Sequence, residues 1–218
     1  GTERTLARRR KDDQFGKGAI EGVAGPEAAG NATALSVIAA PLTITYTANA
    51  ATKIYGTANP ALSGSVVATG LVNGDTLANT VSGTASFATA ATNLSGVGTY
   101  AITGSGLTAT NGNYTYTFKN AGLLTITQRT LVLTPNQLTR AVGAANPITD
   151  TATATAATST TGLVNGDTVS SISVTSPATT ASPVGTYALS GSNAVFSVGN
   201  AANYAITYQT NASGLIVK

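Results

Sequence analysis

The sequence predicts an all-β protein: two tandem β-sandwich domains behind a non-globular N-terminal leader. Three observations carry that prediction. A long segment order repeats, apolar residues alternate with threonines, and turn signals recur at short intervals. Gly70-Leu71-Val72-Asn73-Gly74-Asp75-Thr76 returns letter for letter as Gly162-Leu163-Val164-Asn165-Gly166-Asp167-Thr168. Ala58-Asn59-Pro60 returns as Ala145-Asn146-Pro147, Val97-Gly98-Thr99-Tyr100-Ala101 as Val184-Gly185-Thr186-Tyr187-Ala188, and Asn113-Tyr114 as Asn203-Tyr204. The offset runs from 87 (Ala58 to Ala145) to 92 (Gly70 to Gly162), so the copies share a scaffold and differ in loop length. A period of that size is a whole small domain rather than a solenoid turn.

The alternation supplies the strands. Leu42, Ile44, Tyr46 and Ala48 alternate with Thr43, Thr45 and Thr47. Tyr114, Tyr116 and Phe118 alternate with Thr115 and Thr117, and Leu124 and Ile126 with Thr125 and Thr127. In copy two Tyr204, Ile206 and Tyr208 alternate with Ala205 and Thr207. Apolar-in, threonine-out spacing predicts antiparallel strands with one wet face. Threonine suits that face because its β-branch is stiff in an extended chain and its hydroxyl reaches water. The turns fall at Asn59-Pro60, Asn73-Gly74-Asp75, Gly96-Val97-Gly98 and Asn111-Gly112-Asn113. Asn-Gly supplies the positive-φ residues of a tight turn. No helical stripe is expected after residue 30.

Those signals set the domains. Residues 1–33 form a charged, Gly- and Ala-rich leader, 34–128 the first repeat with an orphan strand at 34–38, and 129–218 the second repeat. The orphan strand rests on an alignment: Ala34-Leu35-Ser36-Val37 matches Leu123-Leu124-Thr125-Ile126, the last strand of copy one. The chain contains no Met, and Gly1 is read as a processed end or a fragment boundary. Such a leader reads first as a flexible linker; because a charged, glycine-rich segment seldom orders alone, an ordered one is expected to rest on something, a neighbouring copy among the choices. Between the repeats only Gln128, Arg129 and Thr130 intervene, with no Gly or Ser run, which predicts a stiff join.

Gly98-Thr99-Tyr100-Ala101-Ile102 and Gly185-Thr186-Tyr187-Ala188-Leu189 resemble the start of strand F in immunoglobulin-like domains. There a tyrosine hydroxyl bonds back to the backbone, two residues before a core position. On that reading Tyr100 and Tyr187 form tyrosine corners, and the fold class becomes two tandem immunoglobulin-like sandwiches. The ordered set Lys53-Ile54-Tyr55-Gly56, Asn59-Pro60, Gly70 to Thr76, Val97 to Ile102, Asn113-Tyr114 and Gly122 to Thr127 further resembles the MBG family, "mostly bacterial Ig-like" repeats of very large secreted proteins. The likeness covers about 42–127 and 131–218. Copy two departs at Arg140-Ala141-Val142-Gly143, where copy one has Lys-x-Tyr-Gly, so a role of Tyr55 would not carry over. The resemblance implies stalk or spacer modules of filamentous-haemagglutinin-like adhesins and other extracellular fibres. It imports no catalytic residue.

Composition narrows the chemistry. With no His and no Cys, the usual general base, the commonest metal ligand and any thiol nucleophile are absent. Charged residues make up 9% of the chain, far below the usual quarter. Of the 19 charges 11 lie in residues 1–27, six basic and five acidic, so neither part is a basic field for nucleic acid. No run of eighteen apolar residues spans a membrane. The sequence therefore points to an extracellular or bacterial cell-surface protein.

Asp75 and Asp167 occupy one position in two domains, one carboxylate per turn. They are read not as a glycosidase pair but as structural turn residues with Asn73, Gly74, Asn165 and Gly166, each carboxylate bonding backbone amides within its turn. Calcium needs several oxygen ligands, and only Asp150 adds a further carboxylate after the leader. Lys53 and Lys119 lack a Ser-x-x-Lys context. The tyrosines are read as core rather than as a sugar-stacking face. No catalytic residue, metal or cofactor is expected. Two functions fit: a fibre subunit that joins the next copy through its leader or through the strand carrying Leu35 and Val37, and a monomeric stalk of a surface adhesin. The expected partners are further copies or neighbouring immunoglobulin-like repeats, with a host or surface receptor as an additional candidate.

Overall fold

The computed structural model describes residues 36–148, 152–153 and 158–218. The chain divides into a unit of residues 1–39 and a unit of residues 40–218; residues 34–39, assigned above to the first repeat, fall in the first unit, and residues 36–38 of the expected orphan strand form no strand, the first strand beginning at Ala40. Leu35 and Asp150, named above, lie outside the described residues.

Repeat one has seven strands: β1 (Ala40–Ala48), β2 (Ala51–Ile54), β3 (Gly64–Thr69), β4 (Val81–Thr89), β5 (Gly98–Ala109), β6 (Tyr114–Ala121) and β7 (Leu123–Thr127). They form two sheets, ordered β3-β1-β6 and β2-β7-β5-β4. Repeat two follows the same plan with β8 (Arg129–Pro135), β9 (Leu138–Arg140), β10 (Ala152–Thr153), β11 (Thr158–Thr161), β12 (Thr168–Thr175), β13 (Gly185–Val198), β14 (Tyr204–Tyr208) and β15 (Asn211–Val217). Its sheets are β11-β8-β14 and β10-β12-β13-β15-β9, so β10 is the added edge.

The sheets are mixed, which corrects the antiparallel expectation. β1 is antiparallel to β3 but parallel to β6, and β2 is parallel to β7. β8–β14 and β9–β15 repeat the parallel pairings. The reason is that the first strand of each copy breaks and changes sheet. After Ala48 the chain steps across at Asn49 and Ala50, so one run supplies β1 to one sheet and β2 to the other. Each half then lies beside a closing strand that runs the same way. Alternation cannot report this, because the period of two is common to both pairings.

Core placement follows the alternation. Leu42, Ile44, Tyr46 and Ala48 are buried along β1 with the threonines turned outward. On β6 the pattern weakens: Tyr114 is buried, but Phe118, four residues on, is 43% exposed. A one-turn helix, α1 (Leu77–Thr80), stands between β3 and β4 where no helix was expected. Asn79 caps it, its side-chain oxygen accepting from the Thr76 amide at 2.8 Å.

At the start of β5 the Tyr100 hydroxyl donates to the Gly96 carbonyl at 2.9 Å, and in β13 Tyr187 donates to the Pro183 carbonyl at 2.9 Å. Two residues on, Ile102 and Leu189 are 1% and 0% exposed. This geometry separates a half-buried hydrogen bond from a core position. Tyr100→Phe is expected to cost about 1 kcal/mol and Ile102→Ala about 3 kcal/mol. Denaturant unfolding of both variants checks this, and equal losses would contradict the assignment.

Candidate functional site

The repeated heptapeptide builds a turn in each copy. Asn73 and Gly74 have φ of 57° and 77°, and Asn165 and Gly166 have 58° and 78°. The Asp75 amide donates to the Val72 carbonyl at 3.0 Å, and Asp167 to Val164 at 2.9 Å. Two successive positive-φ residues closed by that bond are the type I′ pattern, which the Asn-Gly pair is suited to adopt.

The carboxylates do not bond backbone amides in the turn, which corrects that expectation. Asp75 Oδ2 accepts the Tyr114 hydroxyl at 2.6 Å, and Asp167 Oδ2 accepts the Tyr204 hydroxyl at 2.7 Å. Each hydroxyl in turn accepts from the turn's own backbone, Val72 N at 3.1 Å and Val164 N at 3.2 Å. The turn after β3 or β11 is thus clasped to the first residue of β6 or β14. Two motifs that look separate in the sequence are the two halves of one contact. Asp75 and Asp167 do not form a pair; each serves its own clasp.

The second clasp also receives a residue from the first repeat. The Tyr55 hydroxyl donates to Asp167 Oδ2 at 3.0 Å, and its ring meets the Tyr204 ring edge-on, centroids 5.5 Å apart at 82°. Phe196 stacks on Tyr204, centroids 5.5 Å apart at 25°. Tyr55, Tyr204 and Asp167 are 3%, 3% and 8% exposed, so the carboxylate is buried with two hydroxyl donors. Gly56, at φ 81°, lies flush on the Val164 side chain, and a β-carbon there would collide with it. Three more bonds cross the junction. Val97 N donates to Asn203 Oδ1 at 2.9 Å, Asn165 Nδ2 to the Asn93 carbonyl at 3.0 Å, and Gln128 Nε2 to the Ala202 carbonyl at 3.1 Å.

A model of the MBG domain, YGX type, matches residues 44–125 and 131–213. The chain belongs to the MBG family. No curated protein and no solved structure matches it. Repeats of this family are structural immunoglobulin-like domains that occur in adhesin-like extracellular surface proteins. In the first MBG repeat the Tyr-Gly-x signature is Tyr55-Gly56-Thr57, the element that enters the clasp of the second. In the second MBG repeat Val142 stands in place of the tyrosine and is 54% exposed, while Gly143 keeps φ at 78°.

Behind each Tyr-Gly position lies a buried cation that the sequence did not single out as a pair. Lys53 Nζ donates to the Thr57 and Thr92 carbonyls at 3.0 and 2.6 Å. Arg140 donates to Asn146 Oδ1 at 2.7 Å, to the Ala141 carbonyl at 3.0 Å and to the Thr179 carbonyl. Asn59 and Asn146, the asparagines of the two Asn-Pro pairs, donate to Ala91 and Ala178 carbonyls at 2.5 and 2.6 Å. These groups pin the loop before β5 or β13, the loop that in repeat one faces the neighbour. The signal was present in the alignment of Lys-x-Tyr-Gly with Arg140-Ala141-Val142-Gly143. Among the described residues, no three His, Cys, Asp or Glu side chains gather to hold a metal.

The environments perturb ionisation. Burial, with the hydrogen bond to Asp167 adding to it and the Val164 amide opposing it, pushes the Tyr204 phenol up to about 12. The bond to Asp75 raises Tyr114, and burial lowers Lys53. A phenol held above its ordinary value near 10 stays protonated in the folded state while the unfolded chain ionises. Its contribution is therefore whole below about pH 10 and is lost as pH rises toward 12. Lys53 acts with the opposite sign, so the comparison must isolate the phenol. Stability of the wild-type chain minus that of Tyr204→Phe, measured by denaturant unfolding, is expected to fall between pH 10 and 12, and a flat difference would contradict the clasp.

Asp167→Ala removes the acceptor of two buried hydroxyls and is expected to cost about 2–4 kcal/mol, against about 1.5 kcal/mol for Tyr55→Phe. In a double-mutant cycle the two should couple by about 1 kcal/mol or more. Additive losses would mean that Tyr55 and Asp167 do not share a contact energetically.

Proposed function

We propose that this chain is a non-catalytic structural segment of an extracellular bacterial surface protein, a spacer whose MBG repeats fix one another's orientation. The contact of Tyr55 with Asp167 and Tyr204 carries the reading, because the family's own signature residues are used to join one repeat to the next. The apolar interior supports it. One buried cluster runs from Ile102, Leu124 and Ile126 of repeat one through Tyr55 to Leu131, Leu133, Ile172, Leu189 and Leu215 of repeat two. A buried junction with shared core resists swivelling, unlike the polar contacts of loosely linked domains. The polar groups that could do chemistry are occupied: Lys53, Arg140 and Asp167 are buried and held by internal partners. On this reading the partners are neighbouring repeats, and a host or surface receptor would bind elsewhere on the larger protein.

A second reading, a self-assembling fibre subunit, is favoured by one observation. Val37 and Ile38, just ahead of β1, are 86% and 85% exposed and lie outside any strand. We propose this segment, with Leu35, as one that adds to the sheet of a further copy. Light scattering of the intact chain and of residues 40–218 separates the cases. Assembly lost on truncation supports the fibre, whereas a monomer at high concentration, or polymers that survive truncation, contradicts it.

The spacer reading makes its own prediction. The wild-type repeats should melt as one cooperative transition. Tyr55→Ala should split it into two, the first lowered by several degrees. An unchanged single transition in Tyr55→Ala would remove the basis for orientation control.

A further inference from the structure

The acceptor that repeat two offers to Tyr55 is present a second time at the equivalent end of repeat one. There Asp75 Oδ2 accepts Tyr114 at 2.6 Å, and its other oxygen accepts Asn79 Nδ2 at 3.3 Å. In repeat two the same Oδ2 position takes two hydroxyls, one from its own tyrosine and one from the preceding repeat. The groups around it also recur. Asn113 is the equivalent of Asn203, whose Oδ1 receives the Val97 amide, and Asn73 that of Asn165, whose amide reaches Asn93. Val72 is the equivalent of Val164, on which Gly56 sits.

Two things differ: α1 follows the first turn and places Asn79 on Asp75, whereas Asp167 leads directly into β12, and the cover is not the same. Asp167 is buried at 8% exposed, whereas Asp75 is half-buried; Val72 is 45% exposed and Asn113 is exposed. We propose that Asp75, Val72, Asn73 and Asn113 form a second docking socket, and that its occupant is the Tyr-Gly turn of another YGX-type repeat. The occupant is argued from the junction within the chain, where the equivalent residues receive that turn. This chain's second repeat is a poor occupant, because Val142 holds the tyrosine position and lacks the hydroxyl. Val142 and Val184, the equivalents of Tyr55 and Val97, are 54% and 70% exposed and mark the end that would enter the socket once a tyrosine stands at 142. The socket thus selects for an intact Tyr-Gly turn.

The inference rests on the spacer reading, and its test is separate from the melting of Tyr55→Ala. The chain contains no Cys, so thiols can be placed at will. Gly112→Cys, next to the socket's Asn113 at a position where a β-carbon meets nothing within 4 Å, and Val184→Cys, the equivalent of Val97, are introduced together in the full chain and leave every socket residue in place. A short thiol-reactive crosslinker then reports head-to-tail contact between copies. Three backgrounds are compared: Val142 unchanged, Val142→Phe and Val142→Tyr. A second hydrogen bond to a carboxylate predicts crosslinking of Val142→Tyr roughly tenfold faster than Val142→Phe. Adding Val72→Arg should return the rate to that of the unchanged chain. Equal rates for Tyr and Phe, or a Tyr rate indifferent to Val72→Arg, would overturn the proposal. Success in the Tyr55→Ala melting with failure here would leave the internal junction standing and remove only the second socket.

Discussion

A carboxylate that leaves water must find donors, and in this protein the whole arrangement depends on which donors the turn aspartate finds. A buried, unpartnered aspartate would cost several kcal/mol. Each repeat meets that cost with the hydroxyl of the first residue of β6 or β14. Because the same hydroxyl also contacts the turn backbone at Val72 or Val164, the clasp fixes a hairpin-like turn against a strand of the three-stranded sheet. Gly-Leu-Val-Asn-Gly-Asp-Thr is therefore retained in both copies for a reason that is partly local, the positive φ of Asn-Gly, and partly remote, the tyrosine about forty residues on.

The two clasps are chemically alike and differ in what covers them. Asp167 has a second hydroxyl, and the ring that carries it closes the apolar surroundings of Tyr204 and Phe196. That is why the buried cluster of repeat two continues into the large sheet of repeat one, while Leu42, Ile44, Tyr46, Val81 and Tyr114 form a cluster of their own. Repeat one has its hydrophobic interior in two pieces, and one of them is held jointly with its neighbour. The energetics of the two repeats are consequently coupled through Tyr55, a residue that belongs to one repeat by sequence and to the other by burial.

Most of the fold was legible in the sequence because the period-two alternation and the Asn-Gly turns are local signals. Tyr100 and Tyr187 could be placed for the same reason: their acceptors lie four residues away. The features that were not legible depend on tertiary partners. The role of the aspartates was misread because a turn carboxylate ordinarily finds backbone amides nearby, and only the assembled sheet brings Tyr114 or Tyr204 within reach. The parallel pairings of β1 and β2 were hidden because strand direction leaves no mark on alternation. Tyr55 was recognised as part of a motif without its partner, since its contact lies 112 residues away in the other copy. The loss of that tyrosine at Val142 was visible, but its meaning required the junction geometry.

The donor and acceptor of the junction sit at opposite ends of a repeat, and this fixes a direction. The Tyr-Gly turn lies beside the loop before β5, and the aspartate clasp lies where β1 and β6 begin. A contact between unlike surfaces of this kind is heterologous: it joins the end of one repeat to the opposite end of the next and does not pair a surface with its own copy as a twofold interface does. Under the socket we propose, a repeat with both features holds one neighbour and is held by another. A repeat that keeps the aspartate but exchanges the tyrosine for valine can still be held, and no longer offers a hydroxyl to the next repeat in line. With valine at 142 the second repeat keeps its fold and its clasp, with Asp167 held by Tyr204, and lacks the aromatic hydroxyl that the first repeat places on its neighbour's aspartate.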